Sequence, residues 1–99
     1  MKRISIFDKA GAFAENKDVA GKIRVAEIIP ALEKGEEVVL DFEKVDAATQ
    51  SFIHALISGV IRKFGSGVLD RLAFKSCNDT MKKIIGIVTD YMQDGLGPE

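Results

Sequence analysis

The sequence predicts an α/β domain with a mostly parallel sheet of about four strands and three helices. A Val/Leu run, two stretches of helical apolar spacing and the order of these segments carry that prediction. Glu36–Phe42, EEVVLDF, places Val38, Val39 and Leu40 in succession between turn signals. That is the pattern of a central strand covered on both faces in a parallel sheet. Ser51–Phe64 sets Ile53, Leu56, Ile57, Val60, Ile61 and Phe64 on one stripe, with His54, Ser58 and Arg62 on the opposite one. The order β(β)αβαβα calls for right-handed crossovers between parallel strands.

The remaining elements follow in chain order. Lys2–Phe7 alternates Ile4 and Ile6 against polar neighbours and reads as a strand. Lys9–Ala14 is a turn or a short second strand around Gly11, with Phe13 as its anchor. Asn16 or Asp18 caps a helix that runs to about Lys34 and stops at Gly35. Val19, Ile23 and Ala26 share one of its faces, broadened by Val25, Ile28, Ile29 and Leu32. Pro30 has no N–H to give Ala26, so a kink or break is expected near Ile29. Gly65-Ser66-Gly67 ends the Ser51–Phe64 helix, and Val68–Lys75 forms a third core strand with Leu72 and Phe74 inward. Asn78 caps a last helix that buries Met81, Ile84, Ile85, Val88, Tyr91 and Met92. Residues 1–93 thus form one domain, and Asp94–Glu99, DGLGPE, a flexible tail.

The bulk composition narrows the function. Fourteen Lys and Arg against fifteen Asp and Glu leave a formal net charge of -1. Such a balance gives no basic footprint for nucleic acid and no polybasic patch for a membrane. No apolar stretch approaches the length needed to span a bilayer. The amino end, MKRISIFDKAG, lacks the apolar core of a secretory signal. Cys77 is the single cysteine, which excludes an intramolecular disulfide and a cysteine-based zinc cluster. These readings point to a cytoplasmic domain with no cofactor.

Glu36 to Phe64, EEVVLDFEKVDAATQSFIHALISGVIRKF, resembles the central signature of STAS-like domains. A hydrophobic strand ending in Asp-aromatic, a turn with a Val, and a short Ser-containing segment opening an amphipathic helix carry the resemblance. Here these are Val38–Phe42, Val45, Thr49-Gln50-Ser51 and Phe52–Phe64. The flanking helix and strand-helix pair match in order, so the resemblance covers most of residues 2–93. It implies kinship with anti-sigma-factor antagonists, in which this helix opens with an Asp-Ser-Ser/Thr motif. A serine there is phosphorylated by a histidine-kinase-like ATPase, and the phosphate controls binding. By position, Thr49 stands where that Asp would be, and Gln50 or Ser51 where the acceptor would be.

The turn can also be read from its own chemistry. Thr49 is a good N-cap, and a phosphate beside it would meet free N–H groups and the positive end of the helix dipole. Thr49 and Ser51 are therefore either caps alone or a phosphosite. Asp41 and Asp46 bracket the turn after the central strand, where ligands commonly bind a parallel sheet. The plainer role for Asp41 is to accept backbone N–H bonds there. His54 has Ser58 four residues on but no third catalytic member in the sequence, so it reads as a solvent-facing or partner-facing residue. Phe52, Ala55 and Gly59 form a strip beside the buried stripe, free for another protein or covered by the first helix or the turn near Phe13. Gly65-Ser66-Gly67 follows a helix, the wrong order for a phosphate-cradling loop. Cys77 reads as a structural thiol.

The expected function is regulatory protein–protein interaction rather than catalysis. The surface would comprise Asp41, Asp46, Gln50, Phe52, His54, Ala55 and Gly59, extended to Phe13, with Ser51 or Thr49 as the phosphosite. The resemblance implies a histidine-kinase-like ATPase as partner. A small-ligand or enzymatic domain using Asp41, Asp46, Ser51 and His54 is the alternative. Homodimerisation, with Phe52 buried across a two-fold axis, is the third reading.

Overall fold

The computed structural model describes residues 1–95. A three-stranded parallel sheet runs in the order β1 (Lys2–Ser5), β3 (Val38–Asp41), β5 (Leu72–Lys75). A separate two-stranded parallel ladder joins β2 (Phe13–Ala14) to β4 (Ala47–Ala48). The expected α/β class with parallel strands holds, but its strands divide between two sheets.

Register explains how the sheet faces its core. Ile4 pairs with Leu40, Val38 with Leu72, and Leu40 with Phe74. Ile4, Val38, Leu40 and Leu72 belong to the main hydrophobic cluster, and Phe74 packs against it. The alternate residues point to the other face, where Arg3, Ala73 and Lys75 are exposed. Val39 is buried there yet stands outside that cluster. The central strand is buried along its whole length, while its edge neighbours leave the back face partly open.

Two segments expected as strand are helical at one end. Ser5 caps a short helix, α1 (Ile6–Ala10), its side chain accepting from the Asp8 N–H, so β1 stops before Ile6. Gly65, at φ 84, turns the chain into a 3₁₀ segment (Ser66–Arg71), and β5 begins only at Leu72. In that segment Arg71 donates to the carbonyls of Leu32 at 2.7 Å and Glu36 at 3.1 Å. Those bonds tie the approach to β5 to the end of the preceding helix.

Pro30 produces a change of helical pitch instead of a break. Asn16 caps α2 (Lys17–Ile23), accepting from the N–H groups of Asp18 and Val19. A π-helical turn (Arg24–Ile28) follows, and α3 (Ile29–Glu33) continues with Pro30 in its first turn. The N–H of Ile29 reaches back five residues to the Arg24 carbonyl. A proline inside a regular helix costs about 3 kcal/mol through its missing N–H and its clash with the carbonyl four residues back. The wider turn relieves that conflict and also resets the buried face. Ile23 and Ile28, five residues apart, are both buried. Ala26 is exposed and Val25 is 60% exposed, so neither joins the face on which uniform helical spacing placed it.

α4 (Gln50–Phe64) buries Ile53, Leu56, Ile57, Val60 and Ile61 as the stripe predicts. Ser58 is buried as well, so it does not share the outward stripe with His54 and Arg62. α4 packs between α2 and α5 (Asp79–Gly95). Asn78 caps α5 through the Met81 N–H at 2.9 Å, and its amide nitrogen donates to the Asp46 carbonyl at 2.8 Å. Met81, Ile85 and Val88 are buried, but Tyr91 is 67% exposed. The helix includes Asp94 and Gly95, which the sequence placed in the tail. Residues 96–99 and the Met92 side chain lie outside what the structure describes.

Candidate functional site

The start of α4 is positioned by the small β2–β4 ladder. The Ala12 carbonyl accepts from Asp46 at 2.8 Å and from Ala47 at 3.3 Å, and the Ala14 carbonyl accepts from Thr49 at 3.0 Å. Alanines at 14 and 48 are buried at this junction, so the strands approach without bulky side chains. Phe13 is 54% exposed, and Ala14 is the buried residue of the pair. The anchor is therefore Ala14, because strand alternation turns Phe13 outward.

Thr49 is the N-cap of α4, its hydroxyl accepting from the Phe52 N–H at 3.1 Å. Gln50 and Ser51 occupy the first turn and are exposed. Their N–H groups have no carbonyl one turn back within the helix. His54 and Ala55 follow on the same side, both half-buried. Together with Lys17 of α2 and Val88 and Tyr91 of α5, these residues line a groove of about 460 Å³. A second groove, sharing Lys17 and Ala55, continues along Asp18, Gly21, Lys22, Arg24, Val25 and Ala26.

Phe52 does not belong to this surface. It is fully buried within the chain's own core, as the third residue of a helix whose inner face meets that core. A partner cannot reach it, and neither can a second copy across a two-fold axis. Gly59 is also covered. A Cβ there would lie 2.9 Å from Arg24 Cδ and 3.0 Å from its Nε, so the Arg24 side chain occupies the space above it. Arg24 Nη1 donates to the Ala55 carbonyl at 2.5 Å.

The two aspartates are separated from the groove and differ from each other. Asp41 is buried at the end of β3, accepting from the Glu43 N–H at 2.9 Å and paired with Arg3. The Glu43 N–H holds its carboxyl below the usual 3.8, with Arg3 and Ser76 helping and burial opposing. Its carboxylate is thus engaged inside the chain and not offered to a partner. The hollow beside it is lined by Arg3, Ser5, Phe7, Asp8, Glu43 and Lys44, none of them from α4. Asp46 is exposed, and its backbone rather than its carboxylate makes the contacts recorded above. The set Asp41, Asp46, Ser51 and His54 is therefore not gathered into one pocket. Among the described residues, no three His, Cys, Asp or Glu side chains come together as a metal would require. Burial pushes the Cys77 thiol up, which keeps it protonated.

Lys17, Arg24 and Tyr91 are groove residues that the sequence reading did not single out for a site. Lys17 directly follows the Asn16 cap, which was legible. The placement of Arg24 depends on the π-helical turn and had no comparable signal.

A parallel sheet with α2, α4 and α5 packed about one core, and a groove of mixed polar and apolar lining at the start of α4, make an α/β domain of the STAS-like class. Residues 21–82 match the family described as STAS-like domain of unknown function (DUF4325), and the chain belongs to that family. No curated protein and no solved structure matches it. No helix among the described residues is long and apolar enough to cross a membrane.

Proposed function

We propose that this chain is a non-enzymatic regulatory module that binds a protein partner through the start of α4 and is switched by phosphorylation at Ser51. The observation that carries this reading is the exposed Ser51 in the first turn of α4, which lines the groove together with Gln50, Lys17 and His54. A phosphate there would add a charge of about -1.5 to -2 beside free helix N–H groups, and would change both the shape and the sign of the surface. Thr49 is the weaker acceptor, because its hydroxyl already holds the Phe52 N–H. The binding residues are then Gln50, Ser51, His54 and Ala55, extended by Lys17 and Tyr91. The resemblance to partner-switching antagonists supports a histidine-kinase-like ATPase as the partner, in the cytoplasm of a bacterial-type circuit.

The test is a pull-down from a bacterial extract with the wild-type chain, Ser51→Ala and Ser51→Glu, read by mass spectrometry. Retention of such an ATPase by the wild type and Ser51→Ala, with release from Ser51→Glu, supports the proposal. Phosphopeptide mapping of Ser51 and Thr49 then locates the switch. Empty pull-downs alongside co-purifying small metabolites would sink it and favour a ligand-binding domain.

A further inference from the structure

The α2 side of the groove is lined by more cations than anions. Lys2 and Lys9 both pair with Glu27, Arg3 pairs with Asp41, and Lys63 pairs with Glu33. Lys17, Lys22 and Arg24 have no carboxylate partner among the described residues, and Asp18 is the one acidic residue lining their groove. The net charge of -1 for the chain therefore conceals a local excess of two positive charges, three cations less one anion. Arg24 uses one guanidinium nitrogen on the Ala55 carbonyl, which leaves other donors available.

Beside these cations the groove is lined by Gly21, Val25, Ala26 and Ala55. Val25 is 60% exposed because the π-helical turn rotates it out of the core, and Ala26 and Ala55 lie beside it. At the far end, across Ala55, stand Val88 and the exposed Tyr91. A track of small floor residues with apolar ends and a basic border suits a helix laid into a groove. Its charges select the sign of that helix.

We propose that the two grooves that meet at Lys17 and Ala55, with Val25 lining one and Tyr91 the other, together dock an acidic amphipathic helix of a partner protein. Its apolar face packs on Val25, Ala55 and Tyr91, and its carboxylates meet Lys17, Lys22 and Arg24. This deepens the partner-binding reading above and rests on it.

The test is an NMR titration of the ¹⁵N-labelled full chain with two synthetic helical peptides of equal length. Both carry Leu and Ala on one face; one carries Glu on the other face, and the second carries Lys there. The acidic peptide is expected to shift the amides of Lys17, Lys22, Arg24, Val25 and Ala55, and the basic peptide to leave them unmoved. The double variant K17E/K22E should bind the acidic peptide about tenfold more weakly, since two surface ion pairs together are worth about that factor. Both lysines are exposed, and the variant's own spectrum reports its fold. If the basic peptide shifts the groove as strongly as the acidic one, the acidic occupant is wrong while the docking surface remains. If neither shifts it, the groove proposal falls, and the pull-down with Ser51 variants decides the wider reading separately.

Discussion

Arg24 lies across Gly59: the guanidinium group reaches the Ala55 carbonyl at 2.5 Å only because Gly59 has no side chain in the way. Two effects oppose each other at Gly59→Ala. Replacing glycine inside a helix gains about 1 kcal/mol. Displacing Arg24 loses a charged hydrogen bond worth about 1.5–3 kcal/mol at most, less at a half-exposed site. The single variant should therefore change stability by no more than about 1 kcal/mol. In an Arg24→Ala background the same substitution should stabilise by about 0.5–1 kcal/mol. Urea denaturation of the four-member cycle measures the difference. Additive values would show that Arg24 does not rest on Gly59.

Thr49 and Ser51 are two residues apart and should behave differently. Thr49→Ala removes the cap of α4 and should cost about 0.5–2 kcal/mol. Ser51→Ala removes an exposed hydroxyl and should stay within about 0.5 kcal/mol of wild type. Thermal melts followed by circular dichroism separate them. A large loss from Ser51→Ala would mean that its hydroxyl supports the helix instead of facing a partner.

Phe52 is the substitution most easily misread. Phe52→Ala should cost about 3–5 kcal/mol by leaving a cavity, a large share of the roughly 5–15 kcal/mol of a typical domain. Phe52→Asp, which buries a charge, should unfold the chain. Loss of any partner by that variant would report unfolding, so near-ultraviolet dichroism must accompany the binding measurement. A folded Phe52→Asp chain would contradict its burial.

What the sequence disclosed follows from what local pattern encodes. The stripe of α4, the all-buried β3, the Asn16, Thr49 and Asn78 caps and the Gly65 turn depend on spacing and on residues that cap or turn the chain. The exposure of Val25 was hidden because a single π-helical turn shifts the register, and uniform periodicity cannot anticipate it. Phe52 and Gly59 looked available because they flank the apolar stripe. Whether such flanking positions are covered depends on neighbouring elements, here the core below Phe52 and Arg24 above Gly59. Asp41 and Ser51 stood close in the motif, yet the chain turns between them at Lys44, φ 70, and passes through β4 before α4 begins.

The Asp41 carboxylate gives the fold a defined acid sensitivity. Its folded pKa lies below the unfolded value near 3.8, chiefly because the Glu43 N–H donates to the charged form. A depressed carboxylate contributes stability above its unfolded pKa and loses it as pH falls through the folded one. The wild type should thus lose the Asp41 contribution as pH falls from about 4, whereas Asp41→Asn has no such contribution to lose. At neutral pH Asp41→Asn should be the less stable chain, because Arg3 then lacks its anionic partner. Melting temperatures of both proteins across the acidic range test this, and the gap should narrow steadily below pH 4. A gap that stays constant into strong acid would show that Asp41 titrates alike in the folded and unfolded chains, and that the Glu43 and Arg3 contacts do not favour its charge.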